Sequence, residues 1–241
     1  MLFISLLVAH WLADFFLQPA SWVKAKEDRG WAAPQFYAHL LVHVLLLWLL
    51  SRRLDFWPWA LGLGLVHGGI DWGKETVRQH GHLPAGGLFL ADQLLHLASL
   101  WMAARWYLHQ PWLEASWVQP SVIVWMAAML FLTLPCSVWI RVWIARWTPQ
   151  VRDKASLLHA GQWIGMLERM LILWFVVLGQ WQGVGFLFAA KSIFRFGDLK
   201  EAHDRQLTEY VMVGTLLSFT LAIATGLLTN YLLAHLHTIA F

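Results

Sequence analysis

The stretch HWLADFFLQ, residues 10–18, sets a histidine and an aspartate four positions apart inside an apolar run. The same spacing returns in the next three apolar segments, as HLLVH at 39–43, HGGID at 67–71 and DQLLH at 92–96. Two side chains four apart share one face of an α-helix, one turn from each other, so each segment presents a paired grip in a single direction. Four such grips in succession predict four helices that converge His10, Asp14, His39, His43, His67, Asp71, Asp92 and His96 on one polynuclear metal site.

Composition puts these helices in a bilayer. The 241 residues are 59% hydrophobic, include 18 Trp and are only 13% charged, against about 25% charged in a soluble domain; mean hydropathy is +0.55. The expected fold is all-α, a polytopic membrane bundle of about seven transmembrane helices. Spans are expected near 1–19, 34–50, 58–73, 88–108, 119–140, 164–180 and 208–234, with 183–196 as a short half-helix or re-entrant element. The first segment has no basic n-region and no small-residue cleavage site, so it reads as a retained helix. Gly62, Gly64, Gly68 and Gly69 in the third span predict close approach of a neighbouring backbone. Three parts are expected: the His/Asp bundle at 1–110, a helix with a basic loop at 111–163, and a charged helical region at 164–241.

The net charge of +3 is assigned to membrane topology and excludes nucleic acid as the expected partner. With the N-terminus outside, fourteen of the seventeen Lys and Arg fall on the cytoplasmic side, leaving only Arg52, Arg53 and Arg105 opposite. That arrangement predicts N-out and C-out. The adjacent Arg52 and Arg53 are its one local violation. It also brings all four ligand pairs to one depth, within about 15 Å of the cytoplasmic interface at 1.5 Å rise per residue.

A single His or Asp in a membrane helix is as readily an interhelical hydrogen-bonding group as a ligand. Eight together are different, because three buried carboxylates without counter-charge cost several kcal/mol each and a divalent cation would supply that charge. The sole cysteine, Cys136, excludes a thiolate cage, leaving imidazole and carboxylate as ligands. That donor set points to one or two divalent transition ions, zinc foremost, with iron or manganese as alternatives. Asp14, Asp71 and Asp92 are the candidate catalytic carboxylates, as ligands or bases. Gln18, one turn beyond Asp14, and Gln93, beside Asp92, are candidate orienting groups around the metal. The other histidines fall in expected loops or helix ends and are left out of the site.

The C-terminal half carries Glu168, Arg169, Lys191, Arg195 and Glu209 at helix ends. Two readings stand: an ion-pair network joining three helices, or an anion site in which Lys191 and Arg195 donate and Glu168 or Glu209 orient them. The loop 141–163 with its four basic residues is a candidate contact for anionic lipid or a cytosolic partner, and more simply a topology signal.

HWLADFFLQ at 10–18, HGGIDWGK at 67–74, DQLLH at 92–96, GFLFAAKSIFRF at 185–196 and EYVMVGTLLS at 209–218 together resemble a family of bacterial inner-membrane proteins known as domain of unknown function 3307. The resemblance spans nearly the whole chain and implies a multi-pass protein of the bacterial inner membrane, without an activity. The N-terminal half is also similar in pattern to inner-membrane-bound metal-dependent hydrolases, although it has neither HExxH nor a nucleophile elbow. The leading expectation is therefore a metal-dependent hydrolase of an amphiphilic substrate, lipid or polyprenyl phosphate in type. Its rivals are a divalent-metal or proton transporter, which needs polar residues across the whole bilayer, and a di-iron oxidoreductase, weakened by the absence of Glu-x-x-His ligand pairs.

Overall fold

The computed structural model describes residues 1–81, 84–107, 119–148, 160–196 and 202–236, apart from the side chains of 194–196 and 202–207. The described residues form helices and no strand. Their contacts separate two units, Met1 to Ala127 and Ala128 onward. The boundary falls inside a helix.

In the first unit, α1 (Leu2–Trp11) runs directly into a π-helical turn, Leu12–Phe16. The chain then bends by 84° into α2 (Ala20–Arg29). Residues 20–33, expected as a loop, are thus largely helical. The stretch after Pro19 is ASWVKAKEDR, rich in helix formers, with Lys26 and Arg29 in the last turn where the helix dipole favours cations. The remaining helices are α3 (Pro34–Ser51), α4 (Trp57–His80), α5 (Ala85–Tyr107) and α6 (Pro120–Leu132). Pro34 and Pro58 occupy the first turns of α3 and α4, where a missing N–H loses nothing. Gly81, at φ 72°, ends α4.

α1 packs on α3, α3 on α4, α4 on α5 and α5 back on α1, a closed ring of four helices. Hydrophobic driving force is weak between helices already in lipid, so close packing must hold such a ring. Gly64 and Gly68 provide it on one face of α4. A Cβ at Gly64 would collide with the Val44 side chain, and one at Gly68 would lie 2.9 Å from a Leu40 methyl. Gly62 and Gly69 have nothing within 4 Å of a built Cβ, so only two of the four expected glycines serve this contact. One half of the ring, at the starts of α1 and α4 and the ends of α3 and α5, is filled by Leu2, Leu6, Leu47, Ala60, Leu63, Leu100 and Ala103. There Tyr107 donates to Asp55 while the Arg53 guanidinium sits 5.1 Å from the Tyr107 ring centre. Arg53 thereby has a local structural role.

The expected span 119–140 falls within one apolar run, Pro120–Trp147, whose helix is interrupted at Thr133. α6 ends at Leu132, and α7 (Leu134–Ile144) starts afresh after Thr133 with Pro135 in its first turn. α8 (Ala160–Val177) packs against α7, α9 (Trp181–Phe196) and α10 (Ala202–Ala234). Gly179, at φ 70°, makes the turn from α8 to α9.

Among the described residues, five helical stretches are long and apolar enough to cross a membrane: α3, α5, the run through α6 and α7, α8, and most of α10. The bent pair of α1 and α2 makes a sixth when taken as one span. α4 has the length but not the hydropathy, since it carries Lys74, Glu75 and Arg78; α9 has only 16 residues.

Candidate metal centre

The ring brings the eight predicted His and Asp residues together. They lie late in α1 and its π turn, early in α3, late in α4 and early in α5, which is where helices of alternating direction share one level. All five histidines and Asp92 are buried; Asp14 and Asp71 are partly so.

Asp14 is the hub. Its Oδ1 lies 2.8 Å from His43 Nε2, 3.2 Å from His39 Nε2 and 3.7 Å from His67 Nε2. Its Oδ2 lies 3.6 Å from His10 Nε2. The π turn sets this position: an extra residue in the turn re-aims Asp14, and such bulges recur at functional sites. Asp71 Oδ2 stands 3.7 Å from His67 Nε2 and 4.0 Å from His39 Nε2. Asp92 Oδ1 is 3.7 Å from His96 Nδ1, and the His96 ring packs 4.3 Å from His67 and 4.9 Å from His10.

These separations bracket the ligand–ligand distance of a tetrahedral ion. Bonds of 2.0–2.1 Å from zinc to nitrogen or oxygen place neighbouring ligands about 3.3 Å apart. One atom each from His10, Asp14, His43 and His67 lies within 4.8 Å of all the others. The same holds for His39, His67 and Asp71, and for Asp71, Asp92 and His96. Within the cluster His10 Nε2, both His96 nitrogens and Asp92 Oδ1 are buried without a hydrogen-bond partner, as are His39 Nδ1 and His67 Nδ1. A buried polar atom left so costs about 1–3 kcal/mol, and this donor set suits a divalent cation. Gln93 donates to Asp92 Oδ2 at 3.2 Å. The Gln18 Nε2 atom is buried without a partner.

Two functional-site residues escape the sequence reading. Lys26 of α2 reaches Asp71 Oδ2 at 2.6 Å, and Lys74 of α4 reaches Asp92 Oδ2 at 3.0 Å. The sequence argument that three carboxylates lack counter-charge is corrected accordingly, because two of them have an ammonium. Lys74 lies three residues beyond Asp71, a legible neighbour. Lys26 carries no such signal, since only the bend before α2 brings it over the ring.

In the second unit Lys191 pairs with Glu168. Arg169, expected in an ion-pair network, instead donates to the Leu132 and Thr133 carbonyls and to the Ser137 and Ser218 hydroxyls. It captures the carbonyls at the α6–α7 break. Glu209 is exposed on α10, and the Arg195 side chain, like Arg152 and Lys154 of the expected basic loop, lies outside the described residues.

A family described as "Protein of unknown function (DUF3307)" matches residues 2–129. That stretch contains all eight His and Asp residues and both lysines, while GFLFAAKSIFRF and EYVMVGTLLS lie beyond it. No curated protein and no solved structure matches the chain.

Proposed function

The chain belongs to the DUF3307 family of proteins of unknown function, and we propose, from the bundle which that match covers, that it is a metal-dependent hydrolase of the bacterial inner membrane acting on an amphiphilic substrate. The observation that carries this reading is the convergence of His10, Asp14, His43 and His67 within ligand distance of one another. Zinc is the preferred ion, with iron and manganese compatible with the same imidazole and carboxylate donors.

Charge supports one ion over two. Three carboxylates face two ammoniums, so with neutral imidazoles the cluster holds one negative charge in excess. One divalent ion turns this into one positive charge, which an anionic substrate would neutralise. A second ion would leave three positive charges in a low-dielectric site, a costly excess.

When bound, the ion would supply Lewis acidity and an activated water. In hydrolysis the water oxygen bonds to phosphorus as the ester P–O bond breaks. Asp71, beside both His67 and Lys26, is placed to accept the water's proton, and the leaving oxygen takes up a proton in turn. The apolar packing of the other half of the ring argues against a polar path through it, and so for chemistry over transport. The proposed topology keeps both termini outside, which needs an even number of crossings: the six apolar spans together with α4, the least apolar and lined by α3 and α5, and the short α9.

Metal analysis of protein purified in mild detergent tests the reading. One zinc, iron or manganese per chain is expected, together with hydrolysis of a synthetic phosphodiester that chelation abolishes. Both are expected to be lost in His67→Gln with the helical circular dichroism retained. A wild-type chain that takes up no divalent ion would overturn it.

A further inference from the structure

An apolar groove of about 430 Å³ runs along the outside of α4 and α5, lined by Trp59, Gly62 and Val66 on one helix and Ser99, Met102 and Trp106 on the other. Its volume is in the range of small-molecule sites. Its register ties it to the metal cluster. Gly62, Val66, Ile70 and Lys74 follow one another at intervals of four along α4, a row that winds about 40° around the helix at each step. Val66 adjoins His67, and Ser99 lies one turn past His96. From the groove toward the end of α4 the seam between α4 and α5 passes outside the buried His67 and His96 and reaches the Lys74–Asp92 pair that bridges the two helices, with the Lys26–Asp71 pair beside it.

We propose that this groove and the two lysines form the substrate subsite, which takes a lipid-like molecule with one hydrocarbon chain along α4 and α5 and a phosphate at Lys74 and Lys26. The proposal rests on the metal-hydrolase reading and fixes which chemical class that site accepts and where each part lies. Three observations point to an anionic amphiphile over a neutral one. Val66 and Lys74 are eight residues apart, about 12 Å along the helix, so a chain seated in the groove can carry its headgroup along the α4–α5 seam to the ammonium that bridges it. The Lys74 side chain keeps 35% of its surface exposed although it touches Asp92, so an incoming phosphate can reach it. Asp92 itself is buried, with Oδ1 unpartnered, and it can turn from the lysine to the ion as the phosphate takes the ammonium. The exchange conserves charge: Asp92 passes to the cation, Asp71 is left to accept the water's proton, and Lys26 and Lys74 pass to the anion.

Gly62 makes the groove testable without disturbing the cluster. A Cβ built there meets nothing within 4 Å, so Gly62→Leu fills the groove from an open position. Protein in phosphatidylcholine nanodiscs is titrated with radiolabelled dodecyl phosphate, binding is counted above protein-free discs, and zinc content is measured on the same samples. Saturable binding of one dodecyl phosphate per chain is expected, weakened about tenfold or more in Gly62→Leu and in Lys74→Gln, with Gly62→Leu retaining its zinc. Inorganic phosphate at equal concentration is expected to displace none of it. Binding unchanged in both variants, or displaced fully by inorganic phosphate, would overturn the groove as the chain's seat. Zinc bound by a wild-type chain that shows no saturable dodecyl phosphate site would overturn this inference and leave the metal reading standing, whereas a wild-type chain without zinc would remove the metal reading itself.

Discussion

The Nε2 atoms of His39 on α3 and His67 on α4 lie 3.2 Å apart, and Asp14 Oδ1 stands 3.2 Å from the first and 3.7 Å from the second. Three polar atoms from three helices thus converge in a buried triangle. A single proton on His39 Nε2 can serve one neighbour well, the other nitrogen or the carboxylate. The proposed ion, taken up by Asp14 and His67 with His10 and His43, would remove the competition.

Removal of that ion should loosen the ring. A ligand present at a hundred times its dissociation constant stabilises the folded state by about 2.7 kcal/mol. Treatment of purified protein with a strong chelator is expected to lower Tm by several degrees, and added zinc to restore it. A Tm that does not respond to chelation, in protein shown to have contained the metal, would mean that the cluster does not hold it.

Asp14→Asn separates affinity from folding. Asparagine keeps the size of the side chain, and Asp71 and Asp92 would then be balanced by Lys26 and Lys74. The variant is expected to fold as the wild type by circular dichroism and to bind zinc at least about tenfold more weakly, a difference of about 1.4 kcal/mol. Asp71→Asn behaves differently, because it leaves the Lys26 ammonium, only 16% exposed, without its carboxylate. It is expected to lower Tm even in metal-free protein.

Gly64 and Gly62 stand on the same helix two residues apart and should differ sharply. Leucine at 64 drives into Val44 and forces α3 away from α4, and overpacking of this kind costs about 1–3 kcal/mol. Because His39 and His43 lie on the helix displaced, Gly64→Leu should also lose metal. Gly62→Leu is expected to leave both Tm and zinc content near wild type.

The histidine ring was legible because its signal is periodic: spacing by four in consecutive apolar runs fixes helix, face and level together. Lys26 was not legible, since its place depends on an 84° bend that follows a π turn, and neither leaves a periodic trace. The glycine-rich α4 was readable as a helix in a bundle, but which glycines touch α3 depends on crossing geometry, and only Gly64 and Gly68 do. Arg169 misled for a related reason. A charge in an apolar run invites pairing with another charge, whereas here the demand comes from backbone carbonyls near Pro135, 34 residues earlier in the chain, above all that of Leu132, since Thr133 also accepts from the Ser137 N–H and hydroxyl.

That origin gives a test of Arg169 by rescue. Its guanidinium donates to the Leu132 carbonyl at 2.6 Å, to the Thr133 carbonyl at 3.2 Å and to the hydroxyls of Ser137 and Ser218. Methionine at 169 would leave the Leu132 carbonyl without this donor, while Thr133 keeps the Ser137 N–H and hydroxyl, a loss of about 1–3 kcal/mol at the usual cost of an unsatisfied group. Pro135 causes the break, because it has no N–H to donate and its ring crowds the preceding turn. With alanine at 135 the helix can run straight through Thr133, and the Leu132 carbonyl can accept from the Cys136 N–H. Arg169→Met should therefore be markedly less damaging in a Pro135→Ala background, with a coupling of about 1–2 kcal/mol in a double-mutant cycle of thermal or denaturant unfolding. Additive losses would show that Arg169 stabilises the unit through its two hydroxyl partners and not through the broken helix.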